Sequence, residues 1–337
     1  MAKIKDVARL ARVSPACVSL VLNDKPYVSQ EAKQRICTAI KQLNYRPNII
    51  ARSLRKKKTT TVGLVLSDIT NPFFPEVARG VEDRAREYGF NVVLCSTDAD
   101  PSLERQYIDV LLAKQIDGLI LTSTRSSDNL SQYAKEGCPL VLVNRGLSPD
   151  RFDFVGIDNV ASAKMVIDHF IKLGHQRIAF IGGEPASSAS FGRYEGYRSA
   201  LEQAKISYSD SFIKTGYLKY SGGYRAMKSL LQTSPSPTAL FCANDMMALG
   251  AMDACLEKGI KVPQNLAIVG FDDIWVASLK SVQLTTVRQP RYLMGVKAVD
   301  LMIERIMGKR VEIKRVMLPT KLVVRRTCGA NLRGENG

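Results

Sequence analysis

The feature that most restricts the fold is a pair of short helical patterns broken at Val13-Ser14-Pro15. Upstream, Ile4, Val7, Ala8 and Ala11 fall at i, i+3, i+4 and i+7, which is one apolar face of a short helix. Ser14 offers a side-chain oxygen to cap a new helix, and Pro15 takes a first-turn position whose N–H needs no partner. The spacing therefore predicts a second helix from Pro15 that buries Val18, Val21 and Leu22. Two short helices joined by a few residues form a helix-turn-helix. Ser29 caps a third helix whose inner side is Ala32, Ile36, Ile40 and Leu43, and this closes a miniature core.

Charge follows the same division. Of the formal +16 carried by 337 residues, the first 58 hold 14 Lys and Arg against 3 Asp and Glu, a net of +11, and the rest only +5. A basic head on a near-neutral body is the footprint of a polyanion binder, and the helix-turn-helix pattern favours DNA over a merely solvated basic face. In that motif the start of the second helix enters the major groove, so Pro15, Ala16, Cys17, Ser19 and Leu20, with Asn23 at its end, are the positions expected at base edges. Asn48 then caps a segment through Leu54 of about two turns. An isolated helix in water needs ~12 to 15 residues, so this one folds only when something holds it.

From Thr61 the pattern changes. Apolar strands at Thr61 to Ser67, Asn91 to Cys95, Gly118 to Thr122, Pro139 to Asn144, Arg177 to Ile181, Thr238 to Ala243 and Leu266 to Phe271 alternate with helices. This predicts two doubly wound parallel sheets. The chain is expected to cross back near Pro290, because a helix from Tyr292 to Met307 precedes a last strand pair around Val316 to Leu318 and Leu322 to Arg325. Ligands of such sheets bind beyond the carboxyl ends of the strands. Asp68, Asn71, Phe73 and Phe74, then Thr122, Ser123 and Asn144, then Arg193, Asn244, Asp245, Asp272 and Asp273 are the side chains placed there. Neutral hydrogen-bonding groups, one guanidinium, carboxylates and aromatic walls suit a hydroxyl-rich or heterocyclic small molecule. Asp245 and Asp273 read equally as N-caps.

Several classes are excluded or disfavoured. No apolar run reaches the ~18 residues of a spanning helix, and no secretory core follows Lys3 and Lys5, so a soluble cytoplasmic protein is expected. The seven cysteines (17, 37, 95, 138, 242, 255, 328) are scattered and never in C-x-x-C spacing, which reads as thiols in a reducing compartment. No P-loop, G-x-G-x-x-G, G-x-S-x-G or H-E-x-x-H pattern is present and there are only two histidines, His169 and His175. No catalytic set, metal or cofactor is expected.

The ordered set Ile4-Lys-Asp-Val-Ala-Arg-Leu-Ala, Val13-Ser14-Pro15-Ala16-Cys17-Val18-Ser19, Tyr45-Arg46-Pro47-Asn48, Asn71-Pro72-Phe73-Phe74, Gly174-His175, Arg193, Asn244-Asp245 and Gly270-Phe271-Asp272-Asp273 resembles the lactose/galactose repressor (LacI/GalR) family along nearly the whole chain. The resemblance implies a small all-α helix-turn-helix DNA-binding head (1–46) and a hinge helix with linker (47–60). Behind them it implies an α/β body similar to periplasmic sugar-binding proteins, with lobes at 61–160 with 291–321 and at 161–290 with 322–330. It implies a homodimer on a palindromic operator, with hinge helices of Asn48, Ala51, Leu54 and Arg55 pairing so that Leu54 wedges into the minor groove. Phe73, Phe74, Thr122, Asn144, Arg193, Asn244 and Asp272 would hold a small-molecule effector, a sugar or related metabolite. Three departures stand out. The base-reading positions Pro15, Ala16 and Leu20 are all apolar and suit thymine methyls. Arg12 stands where the family has glycine, and Leu218 where some relatives have a stacking aromatic.

The expected function is thus a dimeric, sequence-specific transcriptional regulator, a repressor by resemblance, whose DNA affinity an effector controls. The alternative, a solute-binding protein of periplasmic type, fits the body but not the basic head. The tail after Arg326 has no heptads, so no C-terminal coiled coil is expected. Leu54→Ala should weaken binding to a selected palindrome by a few kcal/mol per dimer site while sparing nonspecific binding at low salt. Equal losses on palindromic and random duplexes in a salt-titrated binding assay would contradict the wedge.

Overall fold

The computed structural model describes residues 2–23, 25–45, 58–122, 130, 137–144, 152–184 and 187–330. The hinge positions Asn48, Ala51, Leu54 and Arg55, with Ser123 and the tail from 331, lie outside the described residues. Contacts divide the chain into two units, Met1–Thr59 and Thr60–Gly337.

The head consists of α1 (Ile4–Ala11), α2 (Pro15–Leu22) and α3 (Gln30–Gln42). Both serine caps form as the sequence requires: Ser14 accepts from Cys17 N and Ser29 from Ala32 N. Val7, Ala8, Ala11, Val18, Ile36 and Ala39 make the buried core, with Ile4, Val13, Cys17, Val21, Leu22, Ile40, Leu43 and Tyr45 packed around it. Arg12 ends α1 in the left-handed region (φ 56°, ψ 48°). Its Cβ there crowds the following carbonyl, a cost that glycine escapes.

The body holds two six-stranded sheets with the same order of strands. The first runs β11-β5-β4-β3-β1-β2 and the second β12-β10-β9-β8-β6-β7. The strands are β1 (Thr61–Leu66), β2 (Asn91–Ser96), β3 (Gly118–Leu121), β4 (Leu140–Val143), β5 (Asp153–Gly156), β6 (Ile178–Gly182), β7 (Ile213–Thr215), β8 (Ala239–Cys242), β9 (Ala267–Asp272), β10 (Thr285–Arg288), β11 (Arg315–Met317) and β12 (Lys321–Val323). All pairings are parallel except that of β10 with β12. The last two strands, expected around Val316 to Leu318 and Leu322 to Arg325, join different sheets: β11 lies beside β5 and β12 beside β10. Three residues, Leu318 to Thr320, carry the chain from one sheet to the other.

Helices α4 (Phe73–Glu87), α5 (Pro101–Ala113) and α10 (Arg291–Ile306) serve the first lobe, and α6 (Asn159–Lys172), α7 (Ser188–Gln203), α8 (Tyr220–Leu230) and α9 (Asp245–Glu257) the second. One helix pair of the first lobe and two of the second, α6 with α7 and α8 with α9, meet backbone to backbone through glycines. A Cβ on Gly80 would stand 2.1 Å from Tyr292 O, and one on Gly223 the same distance from Met247 O. The chain passes between lobes after β5, after β10 and after β11. Ser162 Oγ and Thr320 Oγ1, 2.8 Å apart, tie the first passage to the third. Buried Asp153 anchors the returning segment, taking hydrogen bonds from Arg305, from both Arg310 Nη atoms and from Lys314 N. Although burial pushes this carboxyl upward, the two guanidiniums outweigh it and hold it below the usual carboxylate range.

No helix among the described residues is long and apolar enough to cross a membrane. All seven cysteines are free, Cys242, Cys255 and Cys328 buried and Cys37 exposed. Arg12→Gly should stabilise the head by about 1 kcal/mol; native-state hydrogen exchange of α1 amides reads this, and unchanged protection would mean the left-handed arginine costs nothing.

Candidate functional site

On the head, the expected base-reading face is laid out along α2. Pro15 and Ala16 are exposed, while Cys17, Ser19, Leu20 and Asn23 are half-buried. Cys17 packs against the head core, a small packing residue. Asn23 Nδ2 donates to Ser19 O at 2.7 Å, which fastens the end of α2 rather than leaving the amide to reach outward. Tyr27, at 81 % exposure between α2 and α3, was not singled out from sequence. The only signal for it was an aromatic residue stranded in a polar loop beside Lys25.

The second site lies at the carboxyl ends of the parallel strands, where the lobes face one another. Its centre is Arg193, only 3 % exposed, on the second turn of α7. Its Nε donates to Asn159 Oδ1 at 2.9 Å and its Nη1 to Ala243 O. The guanidinium carbon stands 3.8 Å from the centroid of Phe271, and Nη1 is 3.9 Å from Asp272 Oδ1. Stacking and two hydrogen bonds fix the plane of the fork, so its direction is set before any ligand arrives. Asp272 closes β9, 4 % exposed and at φ 117°, and accepts from Gln289 Nε2 at 2.6 Å.

Other expected residues divide by how their polar atoms are employed. Asn144 follows β4 at φ 66°, and its Oδ1 is buried without a hydrogen-bond partner among the described residues. Phe74 lines a cavity of about 340 Å³ with Ser67, Asp68, Asn71 and Leu218, while Phe73, edge-on to it at 5.1 Å, belongs to the core. Thr122 spends its hydroxyl inside the first sheet, donating to Val65 O and accepting from Ser67 N. Asn244 is fully buried; its Oδ1 caps α9 at Met247 N and its Nδ2 holds Leu218 O, each at 2.9 Å. Neither Asp245 nor Asp273 is an N-cap. Asp245 accepts from Ile274 N and Thr286 Oγ1, and Asp273 is clamped by Arg288 and Arg325.

Sequence reasoning missed Ser190, Gln289 and Arg291. Ser190 Oγ, Gln289 Oε1 and Arg291 Nη1 are buried without hydrogen-bond partners among the described residues. A buried polar group left unmatched costs roughly 1 to 3 kcal/mol; Gln289 and Arg291 stand beside Asp272, and Arg291 also pairs through Nε with Glu76 at 2.8 Å. None of the three stands in a motif; only the fold brings Gln289, on the second passage between lobes, against Asp272.

Two family models match the chain. Residues 3–48 match the head described as "Bacterial regulatory proteins, lacI family". Residues 59–326 match "Periplasmic binding proteins and sugar binding domain of LacI family". The chain belongs to the LacI family of bacterial regulators. A ribose operon repressor of Halalkalibacterium halodurans is 39 % identical, with all of both chains covered. The repressor PurR of Haemophilus influenzae is 34 % identical over 97 % of this chain and 98 % of its own. Among solved structures, a lac repressor dimer bound to operator and an anti-inducer superposes with a TM-score of 0.86 at 27 % identity, covering 97 % of this chain and 99 % of that one. This LacI-family chain is accordingly a DNA-binding regulator controlled by a small-molecule effector.

The Arg193–Asp272 pair of this regulator carries a pH signature. Burial pushes the Asp272 carboxyl up to about 6, against the pull of the Arg193 and Arg291 guanidiniums and the Gln289 amide. A raised value means the folded chain binds this proton more tightly than the unfolded chain. The stability it contributes is therefore present below the ordinary carboxylate range and lost as pH rises through about 6. Asp272→Asn, which resembles the protonated form, should be more stable than the parent at neutral pH by up to ~3 kcal/mol, with the advantage gone near ~pH 4. Urea denaturation at the two pH values checks this; no gain at neutral pH would mean that the ionised carboxylate is already compensated.

Proposed function

We propose that the protein is a repressor that binds a palindromic operator as a homodimer, and that an uncharged polyol of the pentose class, bound between the lobes, sets its DNA affinity. The observation that carries the effector reading is the Arg193–Asp272 pair with Gln289 donating to Asp272 while its own Oε1 stays buried and unmatched; Asn144 and Ser190 each keep another buried unmatched atom. A rigid fork and a neighbouring carboxylate complement a vicinal diol, the fork donating to two oxygens and the carboxylate accepting from two hydroxyls. Phe74 and Leu218 line the adjoining space, with the exposed Tyr217 at its rim. The relative named as a ribose operon repressor points the same way.

The dimer reading rests on two supports. One helix-turn-helix spans too few base pairs alone, and palindromic sites mirror two-fold symmetry. The edge strand β2 also leaves Val93 and Leu94 38 % and 42 % exposed, beside a groove with Ile69, Pro75, Ala78 and Phe90 in its lining. An apolar open edge of this kind suits a second copy. In this reading the lobes are 61–160 with 291–321 and 161–290 with 322–330, supported by which sheet each strand joins. Hinge residues Asn48, Ala51, Leu54 and Arg55 transmit lobe movement to the head. A coupling of ~1 to 3 kcal/mol changes occupancy about 5- to 150-fold.

The test is calorimetric titration of the purified full chain with D-ribose and with hypoxanthine, paired with anisotropy on a duplex selected from random DNA. Ribose should bind and shift operator affinity. Arg193→Lys, which keeps the charge and loses the fork, should weaken ribose binding about 10- to 100-fold. Binding of the purine alone, or unchanged affinity in the variant, would overturn the pentose reading.

A further inference from the structure

The two lobes meet the mouth of the cleft with loops of the same unusual shape. After β2, Asp98 and Ala99 are consecutive left-handed residues (φ 51° and 63°), and after β7, the equivalent strand of the other sheet, so are Tyr217 and Leu218 (φ 55° and 59°). Paired left-handed residues other than glycine persist only where surrounding bonds impose them. Here the bonds are visible: Ala99 N donates to Ser67 O and Asp100 N to Thr97 O on one side. On the other, Gly216 N donates to Gly182 O, Lys219 N to Gly216 O, and Asn244 Nδ2 to Leu218 O.

What these stiff loops carry is charge of opposite sign. The cavity between them is lined from the first lobe by Asp68 and Asp98 and from the second by Lys219 and Arg225, with Glu184 on the cations' side. Among the described residues the two aspartates are engaged with hydroxyls and backbone of their own turns: Asp68 with Thr70, Asp98 with Ser96. Neither Lys219 nor Arg225 has an ion-pair partner among the described residues. Two carboxylates on the first lobe and two cations on the second, with Glu184 beside them, thus line opposite sides of about 340 Å³ of space.

We propose that Asp68 and Asp98 on one lobe and Lys219 and Arg225 on the other form an electrostatic clasp that draws the cleft mouth shut. The clasp makes closure, and with it effector affinity, depend on ionic strength although the effector itself is uncharged. The affinity half of this statement rests on the effector reading above; the closure half does not. Bringing the lobes together relieves repulsion within each pair and adds attraction between them, and salt screens both. The deep Arg193–Asp272 pair is shielded from salt, whereas the mouth is open to it.

Two measurements on the full chain separate the two halves. Amide exchange by mass spectrometry, without ligand, should show segments 67–74 and 216–219 several-fold better protected at ~50 mM than at ~500 mM NaCl, with Lys219→Gln/Arg225→Gln removing the difference. Titration with D-ribose should show affinity falling about 3- to 10-fold over the same range. Reversing the acids alone (Asp68→Lys/Asp98→Lys) or the bases alone (Lys219→Glu/Arg225→Glu) should cost at least as much, and combining the reversals should restore most of the loss. Exchange insensitive to salt, or a fourfold variant as weak as the two reversals multiplied, overturns the clasp. Salt-dependent exchange in a chain that takes no ribose leaves the clasp standing and overturns the effector reading instead.

Discussion

A guanidinium buried against an aromatic face, within 4 Å of a carboxylate that is itself reluctant to ionise, is the interaction around which the body is arranged. Burial costs the carboxylate more than the neighbouring guanidiniums return, so the pair does not discharge itself. Arg193 is held by Asn159 and by the carbonyl of Ala243, while Asp272 is held by Gln289. These supports come from the first passage between lobes, from the end of a central strand, and from the second passage. Whatever alters the balance at the pair therefore pulls on the segments about which the lobes turn, which gives ligand binding a mechanical outlet.

The rest of the body makes that arrangement possible by repetition. Two sheets with one strand order place their carboxyl edges face to face, and the chain joins them three times, so relative movement is confined to a few residues after β5, β10 and β11. Asp153 pins the segment returning to the first sheet with two arginines. In each lobe a helix pair packed through glycine leaves little freedom for the helices to slide. Rigid lobes with short connections are bistable rather than pliant, the condition under which a small ligand moves a distant head.

Much of this was legible beforehand. The serine caps at Ser14 and Ser29, the proline start of α2 and the apolar spacing of the head are local rules, and the structure obeys them. The long parallel strands were equally plain because burial on both faces leaves an unbroken apolar run. Strands β5, β7 and β10 were not: Asp153, Lys214 with Thr215, and Thr285, Thr286 and Arg288 break the apolar run that reveals the equally short β3, β4 and β8. Their existence depends on neighbours that supply the other half of every ladder bond. Ser190 and Gln289 were invisible for a related reason. A lone serine or glutamine has no spacing to betray it, and only burial without a partner sets it apart.

Asn244 and Thr122 mark the boundary between the two kinds of knowledge. By resemblance and by their place after a strand both were expected in the cleft, and the polar bonds described for them tie strand ends and loops together. The amino-acid order alone determined the modules: a basic three-helix head, a doubly wound body and the sets of side chains at strand ends, because each follows from neighbours in sequence. Only tertiary structure decided which of those side chains keep an unmet hydrogen bond for a ligand, because satisfaction of a buried polar atom is settled by residues far away in the chain.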